Sequence, residues 1–191
     1  MKVFGLTGGI GMGKSTAARL LGERGLPVVD TDQLARDIVE PGQPALQEIQ
    51  NVFGSHVIGA DGHLRRGELA KIVFSDVAAR EKLENITHPR ILALWKKQVA
   101  RWREEKRPAA VVVIPLLFET KAETEFDAVI CVACSAQTEG KRLAERNWTP
   151  EQIQQRLAAQ WPVETKISRS HFVIWSEGNP EIMAEQLARI V

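Results

Sequence analysis

At 191 residues, 44% of them hydrophobic, the chain is long enough to bury a sizeable core and fits one domain carrying inserted lobes. Its 25 basic and 24 acidic residues nearly cancel and form no long run of one sign, which argues against a nucleic-acid or membrane-surface partner. Met1 leads straight into a strand pattern with no signal peptide, and no apolar run reaches bilayer length, so a cytoplasmic location is expected.

Residues 2–7 read as a short buried strand. Gly8 then opens G-x-x-x-x-G-K-S, closed by Gly13, Lys14 and Ser15, and A-A-R-L-L follows at helical spacing. A strand feeding a glycine loop that opens a helix is the context a phosphate-binding loop requires. Glycines tolerate the backbone angles that turn successive N–H groups onto a polyphosphate at the positive end of a helix. Lys14 adds a point charge near the β- and γ-phosphates, and the Ser15 hydroxyl is placed to ligate Mg²⁺. The pattern predicts a nucleoside triphosphate site with Gly11, Met12, Gly13, Lys14, Ser15 and Thr16 as its binding residues.

Residues 26–30 form a second strand that delivers Asp30 and Asp32 at its carboxyl end, the edge where ligands gather in parallel α/β sheets. Two readings stand for these acids. One caps the next helix; the other accepts a proton or holds a magnesium-bound water beside the triphosphate. From Pro41 to Arg107 the pattern is helical, interrupted at Pro41-Gly42, at Phe53-Gly54 and by a turn at 60–63. Helices are predicted over 67–74 and 77–86. His88-Pro89 then predicts a break, with Pro89 in the first turn of a new helix. That helix carries Ile91, Trp95, Val99 and Trp102 on one packing stripe. So long a stretch exceeds a plain crossover, and about 41–107 is expected to be an inserted lobe for an acceptor substrate.

Residues 109–114 are the most apolar strand, suited to the middle of a parallel sheet, and they run into P-L-L-F-E at 115–119 on the ligand edge. No Asp ends this strand to orient Mg²⁺, and Glu119 falls several residues late for that role. A fourth strand covers 128–133. Cys131 and Cys134 belong to its apolar run and read as buried structural thiols, since a C-x-x-C redox pair usually opens a helix. The next helix bears Lys141, Arg142 and Arg146. The spacing puts Arg142 and Arg146 on one face, either solvated or clamping a transferring phosphate. Thr149-Pro150-Glu151-Gln152 has the form of a capped helix start. Residues 171–175 are the fifth strand, and Asn179-Pro180 starts a terminal helix with Ile182, Met183, Leu187 and Ile190 facing inward. Five strands with helices between them predict a three-layer α/β fold.

Taken together, these segments resemble the dephospho-CoA kinase family, within the P-loop group that includes nucleoside-monophosphate kinases. The resemblance rests on LTGGIGMGKST at 6–16, VVDTDQLAR at 28–36, VEPGQPAL at 39–46, Phe53-Gly54, DGHLRR at 61–66, LENITHPRI at 83–91 and PLLFE at 115–119. It runs in order over about residues 2–160. The resemblance implies a five-stranded parallel P-loop fold with a helical acceptor-binding lobe and a lid over about 139–165. It implies transfer of the ATP γ-phosphoryl to the 3′-hydroxyl of dephospho-CoA with Mg²⁺. A monomer or small homo-oligomer is expected. By the same resemblance Lys14, Asp32 and Arg142 are catalytic, Asp32 being the base on the hydroxyl, and Arg146 contacts nucleotide from the lid. Asp32, His88, Pro115, Leu116 and Glu119 would bind the acceptor, although His88 also reads as a residue that orients the helix after it. Two places depart from the family's usual text: Glu139 stands where Gln is frequent, and SHFVIWS at 170–176 replaces A-D-x-V-I-x-N.

Two other readings of the loop are weaker. A GTP-operated switch needs N-K-x-D and D-x-x-G, and this sequence has neither. A different small-molecule kinase of the same fold would not need the H-P and P-L-L-x-E segments.

Overall fold

The computed structural model describes residues 1–146 and 148–191. Five strands form one sheet in the order β2-β3-β1-β4-β5, every neighbouring pair parallel. They are β1 (Lys2–Gly8), β2 (Val28–Asp30), β3 (Ala109–Val113), β4 (Ala128–Ala133) and β5 (Phe172–Trp175). The three central strands are the continuous apolar runs of the sequence, because helices cover both faces of a parallel sheet. β2 and β5 are the short edges, and β5 buries only Ile174.

Helix α1 (Lys14–Glu23) and the terminal helix α9 (Pro180–Ala188) cover one face. Phe4 and Leu6 of β1, Val111 and Val113 of β3, and Ile130 and Val132 of β4 point to that face. They pack with Leu21, Met183 and Leu187, each such side chain contributing about 1.5–3 kcal/mol when fully buried. Ile182 does not join them: it is 49% exposed. Met183 and Leu187 hold the inward stripe, and a neighbouring helical position points about 100° away. On the opposite face Gly5 leaves room for Leu117 and Phe126, whose side chains would lie 2.6 and 2.8 Å from a Cβ there. Helices α6 (Ala136–Ala144), α7 (Pro150–Ala158) and α8 (Val163–Arg169) lie between β4 and β5 in the chain. α7 opens with the expected reciprocal cap between Thr149 and Gln152.

The chain forms two compact units, one of residues 1–30 and 99–191 and one of residues 31–98. The second contains α2 (Thr31–Asp37), α3 (Pro44–Phe53), α4 (Arg66–Ser75) and most of α5 (Val77–Glu104). Its own core joins Ile38, Leu46, Ile49, Val57, Leu69 and Ile86. A cavity of about 300 Å³ with Ile49, Leu69, Val73 and Leu83 in its wall opens beside that core.

The predicted break at His88-Pro89 is absent, and α5 runs through it as one 28-residue helix with Pro89 inside. Leu83, Ile86 and Ile91, on both sides of Pro89, pack into the second unit's core. That packing outweighs the roughly 3 kcal/mol an internal proline costs. Side chains add support at the same turn: Thr87 Oγ1 donates to the Leu83 carbonyl at 2.9 Å, and Arg90 donates to the Ile86 carbonyl and pairs with Glu48. Because Pro89 is exposed, Pro89→Ala should restore an N–H for the Asn85 carbonyl and stabilise the protein by about 1–3 kcal/mol. Urea denaturation checks this, and an unchanged or lower midpoint would contradict a proline penalty in α5.

Candidate active site

β1 ends at Gly8, α1 begins at Lys14, and the loop between them turns at the carboxyl edge of the sheet. Gly8 has φ 144°, and a Cβ there would meet the Val132 carbonyl oxygen at 2.2 Å. Gly13 occupies the N-cap of α1 in the left-handed region at φ 90° and provides no side-chain cap. The first-turn amides of α1 are therefore not capped by their own N-cap side chain, the arrangement an anion at a helix N-terminus requires. The Lys14 ammonium lies over the loop, donating to the Gly8 and Gly9 carbonyls at 2.9 and 2.7 Å. The Ile10 amide donates to Gln160 Oε1 at 3.1 Å, so the connection between α7 and α8 touches the loop directly.

Arg142, on α6, braces the loop from the other side. Its Nη1 donates to the Gly11 carbonyl at 3.2 Å and to Ser176 Oγ at 2.8 Å, and its Nη2 to the Ser176 carbonyl at 2.6 Å. The segment after β5 is pinned in turn by Glu177. Its Oε1 accepts from the Ser135 amide and the Thr138 hydroxyl, each at 2.9 Å, and its Oε2 from Trp175 Nε1 at 3.1 Å. Hydrogen bonds from Ser135, Thr138 and Trp175 hold the Glu177 carboxyl down at about 2. Arg146 does not share a helix face with Arg142. α6 ends at Ala144, and the Arg146 guanidinium stacks instead on the Trp148 ring, 4.7 Å from its centroid, with Arg156 over the same ring at 4.4 Å. The expected lid span of 139–165 includes Asn147, which lies outside the described residues.

A pocket of about 550 Å³ opens beside the loop, with Gly9, Met12, Glu139, Gln160, Glu164 and Trp175 in its wall. Burial raises the Glu139 carboxyl, the Glu164 carboxylate raises it further, and Lys14 opposes both. Cys134 also lines this pocket, while Cys131 is buried in β4 with its thiol pushed up to about 11 by desolvation. Both are free thiols, and burial raises the Cys134 thiol as well.

Residues 115–119 follow β3 at the same sheet edge. The Pro115 carbonyl accepts from Thr7 Oγ1 at 3.2 Å and from Lys166 Nζ at 2.8 Å. Glu119 Oε1 accepts from Lys166 Nζ at 2.8 Å and from the Trp161 amide at 2.7 Å. Leu116 is half-buried between them. The structure thus brings the loop, Arg142 and residues 115–119 together within the first unit. Asp32 lies in the first turn of α2 and His88 is exposed on α5, both in the second unit.

Sequence reasoning missed Gln160, Ser176, Glu177 and Lys166. Only Lys166 left a signal, a lysine three residues after Val163 in a position on the helix's apolar stripe. Among the described residues no three His, Cys, Asp or Glu side chains gather into a metal cage. Ser15, exposed in the first turn of α1, fits a different arrangement, in which Mg²⁺ rests on substrate phosphates and a single hydroxyl.

A parallel sheet whose first strand turns through a glycine loop, Lys14 and Ser15 into a helix, with an arginine bracing that loop, defines a P-loop phosphotransferase. Comparison with known proteins narrows the class. The family model described as dephospho-CoA kinase matches residues 2–181. The chain is 44% identical over 192 residues to a dephospho-CoA kinase of Anaeromyxobacter dehalogenans, spanning 100% of this chain and 91% of the relative. A crystal structure from Thermus thermophilus matches it with a TM-score of 0.86 at 32% identity, over 99% of this chain and 95% of the other. A dephospho-CoA kinase structure from Campylobacter jejuni gives 0.71 at 27% identity, over 98% and 94%. This protein belongs to the dephospho-CoA kinase family.

Because the Glu177 carboxyl lies far below its ordinary 4.5, it favours the folded state above that value, and the benefit fades as pH falls toward 2. Glu177→Gln should therefore lower the urea midpoint most above pH 5, with the gap to wild type closing on acidification. A gap independent of pH would contradict this.

Proposed function

We propose that the protein transfers the γ-phosphoryl of ATP to the 3′-hydroxyl of dephospho-CoA, giving CoA and ADP. The observation that carries the reading is the union, at one sheet edge, of the glycine loop with the P-L-L-F-E segment through Thr7 and Pro115. The backbone of Gly11 to Gly13, with Lys14, Ser15 and Thr16, holds the β- and γ-phosphates. Arg146 extends that cationic grip from the segment after α6, where about 139–165 acts as the lid. The Ser15 hydroxyl would hold Mg²⁺ beside the phosphates, where the ion would supply charge neutralisation.

Asp32 takes the proton of the 3′-hydroxyl as its oxygen bonds to the γ-phosphorus and the bond to the β-phosphate oxygen breaks. Arg142, already fixed at the Gly11 carbonyl, meets the charge on the transferring group. Pro115, Leu116, Glu119 and His88 hold the acceptor, with about 41–107 as its lobe. Little covalent chemistry is asked of the protein, so positioning and charge neutralisation supply the rate.

The experiment is ADP release from ATP and Mg²⁺ with dephospho-CoA, against AMP, adenosine and shikimate. Release that depends on dephospho-CoA, with CoA formed in equal amount, is expected. Stimulation by another acceptor alone would replace the substrate. Asp32→Asn keeps the shape and removes the base, so kcat should fall about 10²-fold or more; near-normal turnover would leave Asp32 as a helix-start residue only. Lys14→Ala should weaken ATP use as a whole, and intact activity would overturn the loop's role.

A further inference from the structure

Lys166 is the one described lysine with a side chain fully out of solvent, at 0% exposure. Its ammonium spends its hydrogen bonds on residues 115–119: the Pro115 carbonyl and Glu119 Oε1, each at 2.8 Å. Burying an ion pair is costly, and replacing both of its members by apolar side chains of similar volume is often neutral or stabilising. Stability alone therefore does not account for a lysine here.

The partners do. The Pro115 carbonyl also accepts from Thr7, the residue before Gly8, so one oxygen joins the end of β1, the acceptor segment and α8. Glu119 Oε1 receives the Trp161 amide as well, while Glu119 Oε2 is buried without a hydrogen bond. Around this joint Phe118 stacks on Trp161 with ring centroids 6.3 Å apart and planes 4° from parallel. Arg169 lies over both rings, at 5.5 and 5.3 Å, and pairs with Glu123. Residues 115–123 and 161–169 are thereby packed as one body, with Lys166 at its dry centre.

We propose that Lys166 is a positioning residue for the acceptor: through Pro115 and Glu119 it fixes residues 115–119 against the phosphate loop. The inference rests on the reading of 115–119 as acceptor-binding. It separates two functions that share the sheet edge. The loop's own contacts, from Lys14 to the Gly8 and Gly9 carbonyls and from Arg142 to Gly11, do not involve Lys166. Loss of the ammonium should therefore loosen acceptor binding and spare ATP.

Lys166→Met keeps the stem's volume and removes both bonds. The KM for dephospho-CoA is expected to rise about tenfold, the size of one lost charge-assisted interaction, with the KM for ATP within twofold of wild type. Lys166→Gln, which keeps N–H donors without the charge, should fall between, and it serves if the methionine variant does not fold. In a double-mutant cycle with Glu119→Gln the two effects should be strongly non-additive, since Lys166 acts through Glu119. An unchanged acceptor KM in a folded variant, a parallel rise in both KM values, or simple additivity would each overturn the proposal. The split is read on whichever acceptor the wild-type enzyme phosphorylates, so a wild type that ignores dephospho-CoA overturns the substrate reading and leaves this test in force.

Discussion

The structure depends on how closely the backbone of β1 approaches β4 at its carboxyl end. At Gly8 a single methyl would lie 2.2 Å from the Val132 carbonyl oxygen, a backbone atom that the sheet's own pairing holds in place. Only glycine lets the chain pass that point and turn, and the turn sets the loop that delivers Lys14 and Ser15 to the first turn of α1. The buried faces of β1, β3 and β4 can be viewed as the foundation for this passage. Their largely apolar runs are buried, and the parallel register of the strands fixes where the loop leaves the sheet.

A phosphate loop built from glycine is also intrinsically soft, since each glycine gives up more conformational freedom on ordering than any other residue. Side chains from distant parts of the first unit offset that. Arg142 bonds the Gly11 carbonyl, Gln160 takes the Ile10 amide, and Thr7 ties the strand end to Pro115. Arg142 is steadied by Ser176, which Glu177 anchors to the start of α6. The segment that departs from the family's usual text thus has a structural task here. Ser176, with Glu177 next to it, supplies hydrogen bonds at the place where the sheet edge meets the loop.

The strands, the loop and the helix caps were legible because each is written in local chemistry: apolar runs of strand length, glycines before Lys-Ser, and Thr149 or Asn179 ahead of a proline. What failed was decided by packing and side-chain contacts that no motif spells out. Pro89 reads as a helix start until Leu83, Ile86 and Ile91 are seen to share one core across it. Arg146 reads as the helical partner of Arg142 until α6 stops at Ala144 and Trp148 captures the guanidinium. Gln160 left no signal and Lys166 only its place on an apolar stripe, because their partners are 150 and 51 residues away in the chain and no spacing rule reaches that far.

The two lysines on carbonyl oxygens of this site illustrate how burial decides whether a charge can move. Lys14 is half-buried, and the carbonyls of Gly8 and Gly9 are neutral acceptors. An arriving polyphosphate offers charged oxygens, whose hydrogen bonds are roughly twice as strong as those to neutral acceptors. Lys166 is out of water and faces a carboxylate. Breaking such a buried pair by removing one partner costs about 3–5 kcal/mol, and no ligand approaching from solvent supplies a comparable replacement. Lys166 is therefore held so that the segment it touches keeps its place when a polyphosphate arrives at Lys14.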